Sequence, residues 1–257
     1  MIEFKDVWKT FPLSARQRSE LGLEAEERVL HAVAGVSFTC RPGRVFTLLG
    51  PNGAGKTTAL RMVATLMRPT AGQISVLGMD VTERPQEVRR RIGFLTGTTR
   101  PYERLTPNEL MRYYADLYGM DEELFKRRRN ELFELLGISE FANRRIGKLS
   151  SGMRQRVSIA RTIIHDPEVV VFDEPTQGLD VIAARHIIQL IRDCRQAGKT
   201  VLFSTHIMGE VSLLADDVAI LHRGRICFLG TYQDLVTNMR AKTLEDEFVR
   251  IVQEAGA

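Results

Sequence analysis

The chain has 257 residues, of which 44% are hydrophobic and 26% charged, with a formal net charge of +4. That is the composition of a soluble globular protein large enough for one large domain or two small ones, and no apolar run approaches the ~18–20 residues of a membrane span. Cys40, Cys194 and Cys227 lack Cys-x-x-Cys spacing, which argues against a zinc site or a disulfide framework and suits a reducing compartment.

The start, Met1-Ile2-Glu3-Phe4-Lys5-Asp6, lacks the basic and apolar regions of a signal peptide and predicts a cytosolic chain. Ile2 to Trp8 alternates as a short half-buried strand does. Leu13 to Val29 is charged and mixed in sign; it reads as a solvated loop or short exposed helix inserted between two strands, with a partner contact as the alternative. Val33 to Cys40 resumes the alternation and ends at the turn signal Arg41-Pro42-Gly43.

Val45 to Leu49 reads as a buried strand, followed by Gly50-Pro51-Asn52-Gly53-Ala54-Gly55-Lys56-Thr57. This is the phosphate-binding pattern Gly-x-x-x-x-Gly-Lys-Thr. Glycines let several backbone N–H groups converge on one anion, Lys56 adds a mobile cation, and the Thr57 hydroxyl is a Mg²⁺ ligand. Thr57 to Ala64, with Thr58 in its first turn, reads as a helix whose N-terminal dipole also favours negative charge.

Arg68-Pro69-Thr70-Ala71-Gly72 breaks the chain before a strand at Gln73 to Leu77. From about Thr106 to Ile164 the character is helical. Thr106-Pro107-Asn108-Glu109 is a helix start, with Leu110, Met111, Tyr114 and Leu117 as an apolar face. Leu132, Phe133, Leu135 and Leu136 form the next, preceded by the basic run Lys126 to Arg129, a solvated face or, as the sharper reading, a nucleic-acid contact.

Val169 to Phe172 is continuously apolar, as strands of parallel sheets buried on both faces are. Asp173-Glu174 follows at once. Two adjacent carboxylates at such a strand end are costly unless a cation offsets them. Asp173 is placed to hold Mg²⁺, and Glu174 to polarise an attacking water as a general base. Thr200 to Phe203 is a third buried strand, tipped by Ser204-Thr205-His206. In an open α/β sheet, ligands collect at the carboxyl ends of parallel strands, so His206 is expected beside the other two motifs, donating to a γ-phosphate or to transition-state charge.

With Leu149-Ser150-Ser151-Gly152-Met153-Arg154-Gln155-Arg156 in place, the chain resembles the nucleotide-binding domain of the ABC ATPases. That segment is similar to the family's signature, usually Leu-Ser-Gly-Gly-Gln. Ser150 caps a predicted helix from about Met153 to Ile164, a second helix N-terminus suited to an anion. Gly178-Leu179-Asp180 is similar to the D-loop, and Ser204-Thr205-His206 to the switch-histidine segment. Phe11 sits where the family carries an aromatic that stacks on adenine, with Trp8 as the competing candidate and a core role open for either. The motifs keep the family's order along nearly the whole chain. Two departures lie in the signature, Ser151 for Gly and Met153 for Gln. A third is the missing Gln at the entry to the helical region, where Gly97 takes its place.

The resemblance implies an α/β P-loop NTPase core of the RecA-like kind with a mainly parallel sheet, an N-terminal antiparallel β subdomain and an inserted helical subdomain. Within one ABC ATPase domain, residues of about 1–99 and 165–235 form the β subdomain and core, about 100–164 the helical subdomain with the signature, and about 236–257 a helical tail. It implies ATP and Mg²⁺ as ligands, and a head-to-tail dimer, with a homodimer expected. In that dimer Ser150, Ser151 and Gly152 cover the γ-phosphate held by the other subunit, and Asp180 approaches the opposite site. The wording is closest to ATPase subunits of bacterial ABC-2-type exporters, including sodium-efflux and drug-resistance systems, through Ile92-Gly93-Phe94-Leu95-Thr96-Gly97, Gly152 to Arg156 and Leu244 to Phe248. A separate membrane permease on the cytoplasmic face is then the partner, contacted by the helical insertion, and no nucleic acid is expected. A soluble ABC ATPase acting on ribosomes or DNA is the alternative, disfavoured by a single P-loop and no heptad run. A nucleotide sensor without turnover is disfavoured by the intact Asp173, Glu174 and His206.

Overall fold

The computed structural model describes residues 1–14, 16, 28–96 and 102–256. The strands form two sheets. Strands β1 (Ile2–Pro12), β2 (Val29–Cys40), β4 (Ala71–Val76) and β5 (Met79–Asp80) make an antiparallel sheet in the order β2-β1-β4-β5. The second sheet holds β3 (Val45–Leu49), β6 (Ile92–Leu95), β7 (Val169–Asp173), β8 (Thr200–Thr205), β9 (Asp217–His222) and β10 (Arg225–Thr231) in the order β10-β9-β3-β8-β7-β6. All its pairings are parallel except β9 with β10. This matches the expected mainly parallel core with an N-terminal antiparallel sheet.

β1 and β2 both extend beyond the alternating stretches, to Pro12 and back to Val29, because they pair with each other: Pro12 faces Val29 and Ile2 faces Cys40. Cross-strand hydrogen bonding carries residues whose own pattern is not strand-like. The Leu13–Val29 segment lies largely outside the described residues, although the N–H of Leu13 still reaches the carbonyl of Arg28 at 2.9 Å.

β3, β7 and β8 are buried along their whole length, yet their two faces feed different cores. Val170, Phe172, Val201 and Phe203 join one cluster with Leu110, Met111, Leu132, Phe133, Val157 and Ile187 from the helices. Val169, Val171, Leu202, Phe46 and Leu48 join another with Phe4, Phe38 and Ile74 of the antiparallel sheet and Leu60 and Met62 of helix α1 (Lys56–Val63). The period-2 alternation of a strand is thus kept, with apolar partners on both sides.

After α2 (Pro85–Arg91), helices α3 (Pro107–Leu117), α4 (Glu122–Leu135) and α5 (Ser151–Ile163) occupy the region predicted to be helical. α3 starts as expected: the Thr106 hydroxyl accepts from the N–H of Glu109, and the Glu109 carboxylate accepts from the N–H of Thr106. Leu110 and Met111 are buried, but Leu117 is 65% exposed, so the apolar face is one turn shorter than its sequence pattern. The basic run lies within α4, ahead of its apolar residues as expected. Lys126 is exposed, whereas Arg128 turns inward to the carbonyl of Ile163 and to Asp166, each at 3.2 Å. α6 (Val181–Gln196), α7 (Met208–Leu214), α8 (Tyr232–Thr237) and α9 (Leu244–Gly256) complete the chain. Among the described residues no helix is long and apolar enough to cross a membrane.

Candidate nucleotide site

The site is built at the carboxyl ends of β3, β7 and β8. β3 runs into the glycine loop, whose last glycine, Gly55, caps α1 in the left-handed conformation at φ 105°. A Cβ on Gly55 would lie 2.2 Å from the carbonyl oxygen of Ala32, and one on Gly50 2.3 Å from that of Leu221. Both glycines are therefore required by close backbone approach, and at Gly55 by a positive φ as well.

β7 and β8 are neighbours, and their pairing sets Asp173 opposite Ser204. Asp173 is buried, and its Oδ1 accepts hydrogen bonds from Thr57 Oγ1 at 3.1 Å and Ser204 Oγ at 2.7 Å. Ser204 Oγ and the Ser204 carbonyl in turn each accept from the N–H of Glu174 at 3.2 Å. Glu174 itself has φ 48°, a left-handed conformation that a non-glycine residue holds only under constraint from its surroundings. Its carboxylate bridges two side chains, with Lys56 Nζ 3.3 Å from Oε1 and His206 Nδ1 3.2 Å from Oε2. Lys56 is buried, and donates also to the carbonyls of Gly50 at 2.7 Å and Pro51 at 3.1 Å.

A cleft of about 750 Å³ opens over this cluster, lined by Asn52 to Thr58 and Glu174. Phe11, Leu30, His31, Ala32 and Arg223 line it as well. Of the two candidate aromatics, Phe11 lines the cleft, while Trp8 donates its indole N–H to Asp6 at 3.0 Å and packs against Gly35. Neither is a core residue, as both are only partly buried. The predicted residues Lys56, Thr57, Asp173, Glu174 and His206 are thus brought together from segments up to 150 positions apart in sequence.

Ser150, Ser151 and Gly152 are not among the residues lining the cleft. Ser150 caps α5 as expected, its hydroxyl accepting from the N–H of Met153 at 3.2 Å, and both serines are exposed. Asp180 caps α6 by accepting from the N–H of Ala183 at 2.9 Å, and that bond holds its carboxyl below the usual range. Beside it Val181 and Ile182 are more than 70% exposed. Gly97, where the expected Gln is missing, lies outside the described residues.

Three parts of the site were not singled out in the sequence. Leu30 to Ala32 lie on β2, and nothing local says that this strand folds over the glycine loop. Arg223 precedes Gly224 in the β9–β10 turn; the turn is legible from the glycine, but its place at the cleft is not. Ser204 was read as part of a polar tip, whereas it links the Asp173 carboxylate to the backbone N–H of Glu174.

A glycine loop between a strand and a helix, with an acidic pair at the end of another parallel strand of the same sheet, defines a P-loop NTPase. Comparison with known proteins narrows the class. A model of the ABC transporter family matches residues 33–177. The ABC transporter ATP-binding protein NatA of Bacillus subtilis is 42% identical over 225 residues, which cover 87% of this chain and 92% of NatA. The linearmycin resistance ATP-binding protein LnrL of the same species is 33% identical, over 87% of this chain and 72% of LnrL. A Nod factor export ATP-binding protein of Rhizobium etli is 34% identical over 93% of this chain and 70% of that protein. Among solved structures, an ATP-binding subunit of an ABC transporter superposes with a TM-score of 0.83 at 28% identity, covering 98% of this chain and 99% of the other. A dimeric ATP-binding cassette in a post-hydrolysis state with ADP and Pi superposes at 0.77 and 26% identity, covering 90% and 98%. The chain belongs to the ABC transporter family; it is an ATP-binding protein and an ATP hydrolase of that family.

Proposed function

We propose that the chain is the ATPase subunit of an exporter, working as a head-to-tail pair beneath a separate membrane permease. Relatives named for Nod factor export and linearmycin resistance support the direction of transport. One observation carries the dimer: the catalytic groups converge on the glycine loop, while the anion-ready N-terminus of α5 is exposed and absent from the cleft lining. Each chain then holds two halves of different sites, and a second copy completes them. The exposed Val181 and Ile182 beside Asp180 suit burial at the same interface.

ATP phosphates sit on the N–H groups of Gly53 to Thr57, and the base reaches Phe11 within the cleft. The donors near Thr57 fit Mg²⁺: a buried carboxylate and a hydroxyl 3.1 Å apart, both hard oxygen ligands. Among the described residues no three His, Cys, Asp or Glu side chains cluster as a full metal cage, so water and phosphate oxygens would complete the shell. Bound there, Mg²⁺ neutralises charge on the phosphates.

Lys56 and His206 both hold Glu174. A γ-phosphate competes with Glu174 for Lys56. Lys56 turns to its oxygens, and Glu174, released, orients the attacking water as general base. His206 keeps Nδ1 toward Glu174, so Nε2 donates to phosphate only in the imidazolium form. The exposed N–H groups at Ser151 and Gly152 of the second copy then close over the phosphate, which favours the closed pair over the open one. Loss of phosphate removes those contacts and reopens it.

Glu174→Gln keeps the fold of the loop but lacks the base. The expected result is retained ATP binding, slow hydrolysis, and a shift from monomer to dimer on size-exclusion chromatography in Mg-ATP. A variant that stays monomeric under these conditions overturns the paired-site reading.

A further inference from the structure

Glu210 lies on α7, outside every motif named above, and its carboxylate is buried at 7% exposure. Its Oε1 accepts from the Thr176 hydroxyl, and its Oε2 from Thr205 Oγ1 at 2.5 Å. Both threonines are buried too. Thr176 lies two residues after Glu174, and Thr205 immediately precedes His206. Thr205 Oγ1 also accepts from the N–H of Ile207 at 3.0 Å, so the segment on each side of His206 is tied down.

Each threonine aims its single proton at a Glu210 oxygen, which fixes both hydroxyls. Burying a carboxylate without a cation is costly, and packing alone would be served as well by an apolar side chain of similar volume. What an apolar residue cannot do is hold two loops at a set separation. The loops here carry Glu174, in its left-handed backbone, and His206, whose side chains meet at 3.2 Å. Glu174 N–H bonding to Ser204 closes the other side of the same ring.

We propose that Glu210 is a positioning residue for ATP hydrolysis, setting the distance between Glu174 and His206 through Thr176 and Thr205. The proposal rests on the roles given above to Glu174 and His206. The glycine loop meets this segment through backbone, the N–H of Gly50 donating to the carbonyl of Thr205 at 3.3 Å, whereas Glu210 bonds the two threonine hydroxyls, so losing its side chain bears on the chemical step far more than on nucleotide affinity.

The test is steady-state ATP hydrolysis by the full chain, with kcat and KM read separately. Glu210→Ala should lower kcat by at least about tenfold, within the roughly 10²-fold that a 1 Å misplacement costs, and leave KM within about twofold. Glu210→Gln keeps an acceptor oxygen and should recover kcat to within about threefold of wild type. Thr176→Val, nearly isosteric, should fall like Glu210→Ala and decides the matter if that variant does not fold. Wild-type kcat in Glu210→Ala or Thr176→Val, a loss confined to KM, or Gln no better than Ala overturns the proposal. Glu174→Gln runs alongside. If it hydrolyses at the wild-type rate, the assignment of Glu174 has failed; if it is slow while Thr176→Val is not, only the role of Glu210 has.

Discussion

Gly55→Ala tests how tightly the fold constrains the phosphate loop. Gly55 has φ 105°, and an added Cβ would lie 2.2 Å from the carbonyl oxygen of Ala32, where real Cβ atoms keep at least 3.0 Å. The loop, or β2, must therefore shift by roughly 0.8 Å. Ala32 sits at a bulge between the Lys9–Val33 and Thr10–His31 pairs, so the loop or that bulge gives way, and both line the cleft. A displacement of about that size at the donors costs up to roughly 10²-fold in rate, and the left-handed backbone adds ~1–2 kcal/mol of strain. Gly53→Ala is the internal control: it has φ 80° and nothing within 4 Å, so it carries the strain without the collision. Phosphate release under an ATP titration should show kcat/KM down about 100-fold for Gly55→Ala and about tenfold or less for Gly53→Ala. Melting temperatures should fall by no more than about 4–8 °C for either. Equal kcat/KM in the two variants would refute the steric reasoning, because only the collision distinguishes them.

Removing the ring at Phe11 should raise KM for ATP without lowering kcat, since base–aromatic stacking contributes ~1–3 kcal/mol and takes no part in the chemical step. Trp8→Ala should leave KM nearly unchanged; a larger effect there than at Phe11 reverses the assignment. Burial holds His165 neutral, with its pKa lowered from 6.5 to about 4, while its ring stacks on Tyr118 at 3.8 Å. Unfolded, the same imidazole takes up a proton below its ordinary pKa, so its contribution to stability is full at neutral pH and declines as pH falls from 6.5 towards 4. His165→Phe keeps the stacking and removes the titration. Chemical denaturation should show the variant gaining on wild type by roughly 1 kcal/mol per pH unit across that window, and a constant difference between them would contradict it.

What could be read in advance was local. The glycine loop, the acidic pair and the caps at Thr106 and Ser150 each depend on a few adjacent residues, so spacing alone announces them. Parallel strands announce themselves by continuous hydrophobicity, and their carboxyl ends then predict where the motifs meet. Contacts between distant segments were not legible. Arg128 looks like one of four solvated cations until Asp166 and the carbonyl of Ile163 fix it. β2 lines the cleft beside the glycine loop because of contacts that no local pattern encodes. Leu117 continues a helical apolar stripe but lies where no other element covers it. Glu210 looks like an ordinary surface acid in a short helix until Thr176 and Thr205 close on it.

The central claim is that each site takes its glycine loop from one chain and its α5 terminus from another. Mixing two inactive variants tests it most directly. Lys56→Ala removes the loop cation. Ser151→Glu adds an acid to the first turn of α5, which favours the helix and repels a phosphate brought against it. Alone, neither should hydrolyse ATP. Mixed, a head-to-tail pair contains one site with an intact loop and an intact α5 terminus, and turnover should return. If the mixture stays as inactive as its components, or if Ser151→Glu alone hydrolyses ATP at the wild-type rate, the shared site is wrong.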